Sequence, residues 1–278
     1  MAIITLTTDF GEKDHFAGAI KGAVYSELTD VRIVDISHSV SPFNIPEAAY
    51  IIQNAFSSFP KGTIHIIGID SELHPENKHI ALKLDGHYFI CANNGIMSMI
   101  CSEIAPEKIV EINIHDKITT SFPVLDVFVK VACHIARGGT LEVIGKVIDH
   151  IKPIKNIHPY VNDEQTQIIG SVIYVDNYGN VITNIKRKFF ENTQKGRDFE
   201  VFVRSNKFKK IFNNYSDIVN FNIPPEKRND EGKGMAVFNS SGFLEIAVYK
   251  SNSATFGSAS SLMGLNLMDT VTVNFSKT

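Results

Sequence analysis

The sequence predicts an α/β domain with a mainly parallel sheet, followed by a smaller, mostly antiparallel β domain. Three observations carry this expectation. The first half alternates short apolar, β-rich runs with longer stretches of helical periodicity, the pattern of a parallel sheet covered by helices. The second half instead sets alternating strands on either side of turn sequences. Between the halves, around residues 149–167, the composition shifts to Lys, His, Pro, Asn and Asp with little periodicity, as a linker does. Domains are therefore expected at 1–150 and 168–278, joined by a linker at 151–167.

The elements follow in order. Ile3 to Leu6 reads as the first strand, and Asp14 to Leu28 as a helix with Phe16, Ala19, Ile20, Ala23 and Val24 on one face. Val31 to Ile36 is the second strand. The next helix has a defined start: Asn44 as N-cap, Pro46 in the first turn, and Glu47 three residues after the cap. Thr63 to Ile69 is a continuous β-rich run. Ile80 to Leu84 and Tyr88 to Cys91 form two strands around an Asp85-Gly86 turn, and Val124 to Ala136 is a helix stopped by Gly138-Gly139. In the second half Ile168 to Val175 and Val181 to Ile185 flank Asp176-Asn177-Tyr178-Gly179-Asn180. Met235 to Phe238 and Phe243 to Tyr249 flank Asn239-Ser240-Ser241-Gly242, with Glu200 to Arg204 and Thr270 to Phe275 as further strands.

Composition removes several function classes. The 278 residues carry 27 basic and 30 acidic side chains, a net charge of −3 that offers no broad positive field to a nucleic-acid backbone. The short basic run Lys207, Lys209 and Lys210 reads as a solvated edge. No apolar stretch reaches the length of a membrane span. The N-terminus shows no signal-peptide pattern, and the three cysteines (Cys91, Cys101, Cys133) build neither a disulfide framework nor a zinc site, so a cytoplasmic protein is expected. His74 and His79 are spaced too loosely for a metal site and read as loop residues. Neither a phosphate-binding loop nor a dinucleotide glycine motif is present, so no cofactor is expected.

In an open parallel sheet the ligand crevice lies beyond the carboxyl ends of the strands. This chain places Asp9, Asp35, Asp70 and Asn94 at those ends, with Asp14 at the mouth of the following helix. Each alone suits an ordinary turn, because Asp and Asn bond their own backbone. Together on one edge they suggest a polar small-molecule site able to grip a diol or an amine.

Read together, these blocks resemble the SAM hydroxide adenosyltransferase family, which includes SAM hydrolases and is related to fluorinases and chlorinases. The resemblance rests on Thr7-Thr8-Asp9-Phe10-Gly11 with Asp14 and Lys21-Gly22, on Val34-Asp35-Ile36-Ser37-His38-Ser39-Val40-Ser41-Pro42, and on Phe59-Pro60-Lys61-Gly62-Thr63-Ile64-His65. It continues through Asp176 to Ile185 and Asn239 to Ala247, covering nearly the whole chain. It implies a C-terminal β-barrel and a homotrimer, each site lying between the N-terminal domain of one subunit and the C-terminal domain of the next. It also implies an adenosyl ligand, S-adenosyl-L-methionine (SAM), hydrolysed to adenosine and L-methionine by attack of water or hydroxide at C5′. Asp9 would accept both ribose hydroxyls, with Phe10, Asp14 and Asn94 nearby, and Phe43 and Phe122 would wall the ligand. Asp176, Tyr178 and Asn180 would meet the methionine or adenine end; Ser240 would meet the methionine carboxylate, and Glu245 would bind the ligand as well.

The chain also departs from the family pattern. Of the family's Asp, Arg and His it keeps Asp70, has Asn77 at the Arg position, and has Pro123 at the His position, with Val124 where glycine or serine lines the nucleophile pocket. His74, four residues after Asp70, is the alternative base. The loss of two cooperating groups makes a binding protein without turnover the competing expectation, and Val124, which carries no hydroxyl, disfavours halide use.

Overall fold

Buried β-branched side chains form the first strand, β1 (Ala2–Thr8), in which Ile4 and Leu6 are fully buried. The computed structural model describes residues 1–101, 104–114, 120–154, 158–252 and 257–276. It divides into two units, Met1–Lys155 and Asn156–Thr278.

In the first unit β1 leads to α1 (Phe16–Glu27), which buries Ala17, Ile20 and Val24. This helix starts two residues later than its periodicity suggests, because Asp14 makes no capping bond and stays exposed. Then come β2 (Val31–Ser37), α2 (Ile45–Ala55), β3 (Ile64–Gly68), β4 (His79–Leu84), β5 (His87–Ala92), α3 (Ile96–Ile100), β6 (Lys108–Ile112), α4 (Val129–Ala136) and β7 (Gly145–Val147). Asn44 caps α2 as expected, its Oδ1 accepting from the Glu47 amide at 3.2 Å. Asp85 and Gly86, both at positive φ, close the β4–β5 hairpin, as a tight two-residue turn requires.

The sheet order is β2-β1-β3-β5-β4-β6-β7. Strands β2, β1, β3 and β5 are mutually parallel, whereas β4 and β7 run against their neighbours. All four parallel strands therefore end on one edge. Two apolar cores flank the sheet, one with α1 and α4 and one with α2 and α3. The helix expected from Val124 begins differently: Val124–Phe128 wind as a π-helix after Pro123 before α4 continues as an ordinary helix, and Gly138 at φ +85° follows its end.

The second unit contains β8 (Tyr160–Val161), β9 (Gln167–Val175), β10 (Val181–Lys186), α5 (Arg187–Gln194), β11 (Phe199–Val203), β12 (Asn206–Phe208), β13 (Ile211–Phe212), β14 (Gly234–Phe238), β15 (Phe243–Val248), α6 (Ala259–Met263) and β16 (Thr270–Phe275). The order β12-β11-β16-β9-β10-β15-β14-β13, with β8 added on β9, is antiparallel except at β13–β14 and curls into a nearly closed barrel. Val172, Val181, Ile246, Leu244, Val271 and Val273 fill its interior. The short strand β8 lies inside the stretch read as linker, where Asn162 Oδ1 accepts from the Thr166 and Gln167 amides at 2.9 Å. Lys207 and Lys210 lie over the rings of Phe202 and Phe212, and Lys209 pairs with Glu200, so the basic run is a decorated strand edge.

Candidate functional site

The carboxyl edge of the first sheet sorts its polar groups into two kinds. Asn94 is 7% exposed, and its amide is used up by the fold. Its Nδ2 donates to the Ile69 carbonyl at 2.9 Å, and its Oδ1 accepts from the Ile96 amide at 3.2 Å. It ties the end of β5 to the end of β3. Asn77 is used in the same way, its Nδ2 donating at 2.9 Å to the carbonyls of both Asp70 and Glu72. A buried amide therefore staples the loop from its own far end, in the place where the family pattern has a charged guanidinium.

Asp9 and Asp70 are the other kind. Asp70 follows β3 with φ +44°, a left-handed conformation that Asp tolerates and that is common at functional sites. Asp9 Oδ2 accepts from the Phe43 amide at 2.8 Å. Burial raises the Asp9 carboxyl above the usual range; the Phe43 amide pulls it back in part, and the charge of Asp70 adds to the rise. The charge of Asp70 thus reaches the Asp9 carboxyl.

Phe43 has φ +61° and is 72% exposed, an aromatic ring in a left-handed turn facing outward. Its amide, held by Asp9, fixes that turn. Phe10 and Phe122 meet edge to face at 5.5 Å, and Phe16 completes the cluster at 5.7 and 5.2 Å from them. Sequence reading put Phe16 only on a helix face. Beside them, a Cβ at Gly68 would lie 3.1 Å from Thr8 and Val124 methyls and 3.2 Å from Phe10. Fully buried Val124 therefore occupies the space at the end of β3.

Two sequence expectations change here. His79 is no surface-loop residue: it opens β4, is fully buried, sets Nε2 2.9 Å from the Ser71 carbonyl and packs on Phe128. Asp35 does not end β2 but lies inside it, paired with Leu6. His74 is exposed in a tight turn, its Nδ1 accepting from the Glu76 amide at 3.3 Å. Asp14 is exposed before α1.

In the second unit the predicted residues occupy two turns. Asp176 Oδ1 accepts from the Tyr178 and Asn180 amides at 2.9 Å, and Oδ2 accepts from Asn180 Nδ2 at 3.1 Å. Tyr178 is 67% exposed at the tip. In the other turn Asn239 Oδ1 accepts from Ser241 and Phe243 amides at 3.1 Å, which leaves Ser240 exposed. Register places the turns at opposite ends of β10: one precedes Val181, and the other precedes Phe243, which pairs with Lys186. Glu245 lies between them, 3% exposed, with Oε1 accepting from Tyr215 Oη at 2.6 Å and Oε2 from Asn239 Nδ2 at 3.2 Å. Burial raises its carboxyl pKa despite these bonds, and Asp176 contributes to the rise. Glu245 therefore supports the Asn239 turn from behind. Among the described residues no cluster of three or more His, Cys, Asp or Glu side chains could hold a metal ion.

Comparison with known proteins identifies the family. The (R)-S-adenosyl-L-methionine hydrolase of Methanocaldococcus jannaschii is 29% identical over 277 residues, 98% of this chain and 95% of the relative. A fluorinase of Actinopolyspora mzabensis is 23% identical, covering 70% of this chain and 75% of its own. An uncharacterized conserved protein from Thermotoga maritima, solved by crystallography, superposes with a TM-score of 0.82 at 29% identity, covering 98% of this chain and 99% of that one. Residues 4–145 match the SAM hydroxide adenosyltransferase N-terminal domain and residues 170–272 the C-terminal domain of the same family. With both domains matched in order, this chain belongs to the SAM hydroxide adenosyltransferase family.

Proposed function

We propose that the protein binds S-adenosyl-L-methionine and hydrolyses it to adenosine and L-methionine, water or hydroxide attacking C5′ while the sulfonium leaves as the methionine thioether. The observation that carries this reading is Asp9: a half-buried carboxylate anchored by the Phe43 amide, at the edge where the parallel strands end. A charge-assisted bond to each hydroxyl suits a vicinal diol. Asp70, close enough for its charge to reach Asp9, orients the attacking water. The exposed Phe43 ring and the Phe10–Phe122 pair supply apolar walls, and SAM needs little basic assistance because its leaving group is already cationic. Asn180, Tyr178 and Asp176 take one end of the ligand and Ser240 the carboxylate at the other, consistent with an elongated ligand reaching both turns. The homologues named as SAM hydrolases support the reading.

A second reading has its own observation. Asn77 spends its amide on the loop backbone, and Pro123 opens a π-turn, so the positions of the family's Arg and His supply no catalytic cation or imidazole. On this reading the protein holds SAM or adenosine without turning it over. Incubation with SAM followed by chromatography separates the two. Adenosine and methionine formed above the uncatalysed rate, and lost in Asp70→Asn, support hydrolysis; saturable calorimetric binding with SAM recovered intact supports the binder; no binding of either compound defeats both.

The functional form on this proposal is a cytoplasmic homotrimer whose sites join the N-terminal unit of one subunit to the C-terminal unit of the next, since heterologous interfaces close only in a ring. None of the helices among the described residues is long and apolar enough to cross a membrane. A monomeric mass by light scattering with ligand binding intact overturns the trimer.

A further inference from the structure

A line of polar side chains outside the proposed contacts ends beneath Asp9. Lys21 of α1 donates to Asp35 Oδ2 at 2.5 Å, and Asp35 Oδ1 lies 3.1 Å from His38 Nε2. His38 Nδ1 is 2.7 Å from Thr8 Oγ1, which accepts the Phe10 amide at 3.4 Å. The His38 backbone reaches the same turn, its carbonyl accepting from the Gly11 amide at 2.7 Å. Thr8 is fully buried and His38 only 4% exposed, so neither side chain is placed to touch a ligand.

With the His38 ring neutral, charge gives the protons along this line a direction. Burial pushes the Asp35 carboxyl upward, but Lys21 and His38 beside it hold it below the usual carboxylate range, and Asp35 stays ionised. The contact lacks hydrogen-bond geometry, but with the ring neutral the negative charge 3.1 Å from Nε2 favours the ring proton there. His38 Nδ1 is then an acceptor and takes the Thr8 hydroxyl proton. With that proton committed, the Thr8 oxygen turns a lone pair to the Phe10 amide. The bulk of these side chains could be matched by apolar ones, but the direction of these bonds could not.

We infer that Lys21, Asp35, His38 and Thr8 form a positioning relay that sets the Asp9-Phe10-Gly11 turn and so aims the Asp9 carboxylate at its ligand. This rests on the proposed role of Asp9 in adenosyl binding. All four are positioning residues, since none touches the reacting atoms.

Two variants of the full chain test it. In Asp35→Asn the introduced amide can donate to Nε2, which moves the ring proton to Nδ1 and reverses the bond to Thr8, a change of tautomer rather than of shape. Thr8→Val removes only the hydroxyl, and Thr8→Ser restores it. The readouts are the ¹⁵N shifts of the His38 ring, hydrogen exchange of the Phe43 amide as a reporter of Asp9, adenosine affinity by calorimetry, and the melting temperature. Wild-type protein should show the Nε2–H tautomer. Asp35→Asn and Thr8→Val should each lower Phe43 protection and adenosine affinity by about fivefold or more, equivalent to roughly 1 kcal/mol, and Thr8→Ser should recover most of both. Wild-type binding that is unchanged in both variants overturns the relay, as does a wild-type ring protonated on Nδ1. If wild-type protein binds no adenosyl compound, the functional reading fails instead; the Phe43 amide then decides the relay alone, and unchanged exchange in both variants overturns it. A Thr8→Val chain that does not fold leaves the decision to Asp35→Asn, altered at a half-exposed side chain.

Discussion

Strand β1 carries two threonine–histidine pairs of the same length, and their surroundings give them opposite characters. Thr5 Oγ1 lies 2.7 Å from His65 Nδ1, and Thr8 Oγ1 lies 2.7 Å from His38 Nδ1. The first pair ends in a second imidazole: His65 Nε2 is 3.2 Å from His87 Nδ1, and the rings of Phe56, Phe59 and Phe89 enclose them. The second pair ends in a carboxylate held by a lysine at the protein surface. A neutral chain walled by aromatic rings suits a structural role, because burial disfavours charge on either imidazole. A chain anchored by an ion pair keeps a fixed proton direction and can act on what lies at its far end.

The largest expected effect breaks the first pair with acid. Burial and the neighbouring His87 hold His65 down to about 3, so the folded protein binds its proton far more weakly than the unfolded chain, whose imidazole titrates near 6.5. The depressed pKa means this contribution to stability is complete above about pH 6.5 and is lost as pH falls toward 3. Urea denaturation across that window should show stability falling by several kcal/mol, on the order of 1.4 kcal/mol for each unit of displacement. His65→Gln should flatten this acid limb. An equally steep limb in the variant assigns the loss to other groups.

Next in size is Asn94, whose loss would leave a carbonyl and an amide unpaired at the very edge that bears Asp9. Asn94→Ala should destabilise the protein by about 2–4 kcal/mol, since each stranded buried group costs roughly 1–3 kcal/mol. Asp9→Ala, by contrast, should leave the melting temperature nearly unchanged or higher and weaken adenosine binding about tenfold or more, roughly 1.4 kcal/mol. The sign follows from its raised pKa. A carboxyl that burial makes harder to ionise stabilises the fold most below its unfolded pKa of 3.8, and that contribution is lost as pH rises through the folded value, so at neutral pH its charge is a cost. Asp9→Asn should therefore raise stability at pH 7 relative to pH 3 while losing the ligand. A variant that binds normally reduces Asp9 to a turn residue.

The comparison also shows what sequence makes legible. Period and punctuation revealed the alternation of strand and helix, the Asn44 cap and the Asp85-Gly86 hairpin, because these are local. Convergence of Asp9, Asp70 and Asn94 on one edge follows from parallel strands alone. Which of them is free does not: Asn94 and Asn77 are consumed by carbonyls brought to them by other strands and loops, a tertiary fact with no local signature. The same holds for Glu245, whose partner Tyr215 lies 30 residues away. The π-turn after Pro123 and the short strands β8, β12 and β13 escaped because each is too brief to show a period. His38 was visible as part of a motif, yet its bond to Thr8 depends on β1 and β2 lying side by side.

The smallest expected effect on stability separates backbone from ring at Phe43. Its left-handed φ of +61° costs an L-residue about 1–2 kcal/mol, and with 72% of the side chain exposed little packing offsets it. Phe43→Gly removes that strain but adds the unfolded-chain entropy of glycine, about 0.5–1 kcal/mol, so the net change should lie between zero and about 1.5 kcal/mol of stabilisation. Phe43→Ala keeps the backbone penalty and deletes the same ring. If the ring walls the adenosyl ligand, both variants should weaken adenosine binding to a similar extent while only the glycine variant melts higher. If instead the residue serves only to present its amide to Asp9, the alanine variant should bind like wild type, and the glycine variant alone should bind more weakly, its turn having lost the restriction that keeps the amide in place. Calorimetry and thermal melts on the two variants side by side therefore decide whether the exposed aromatic belongs to the ligand or to the loop.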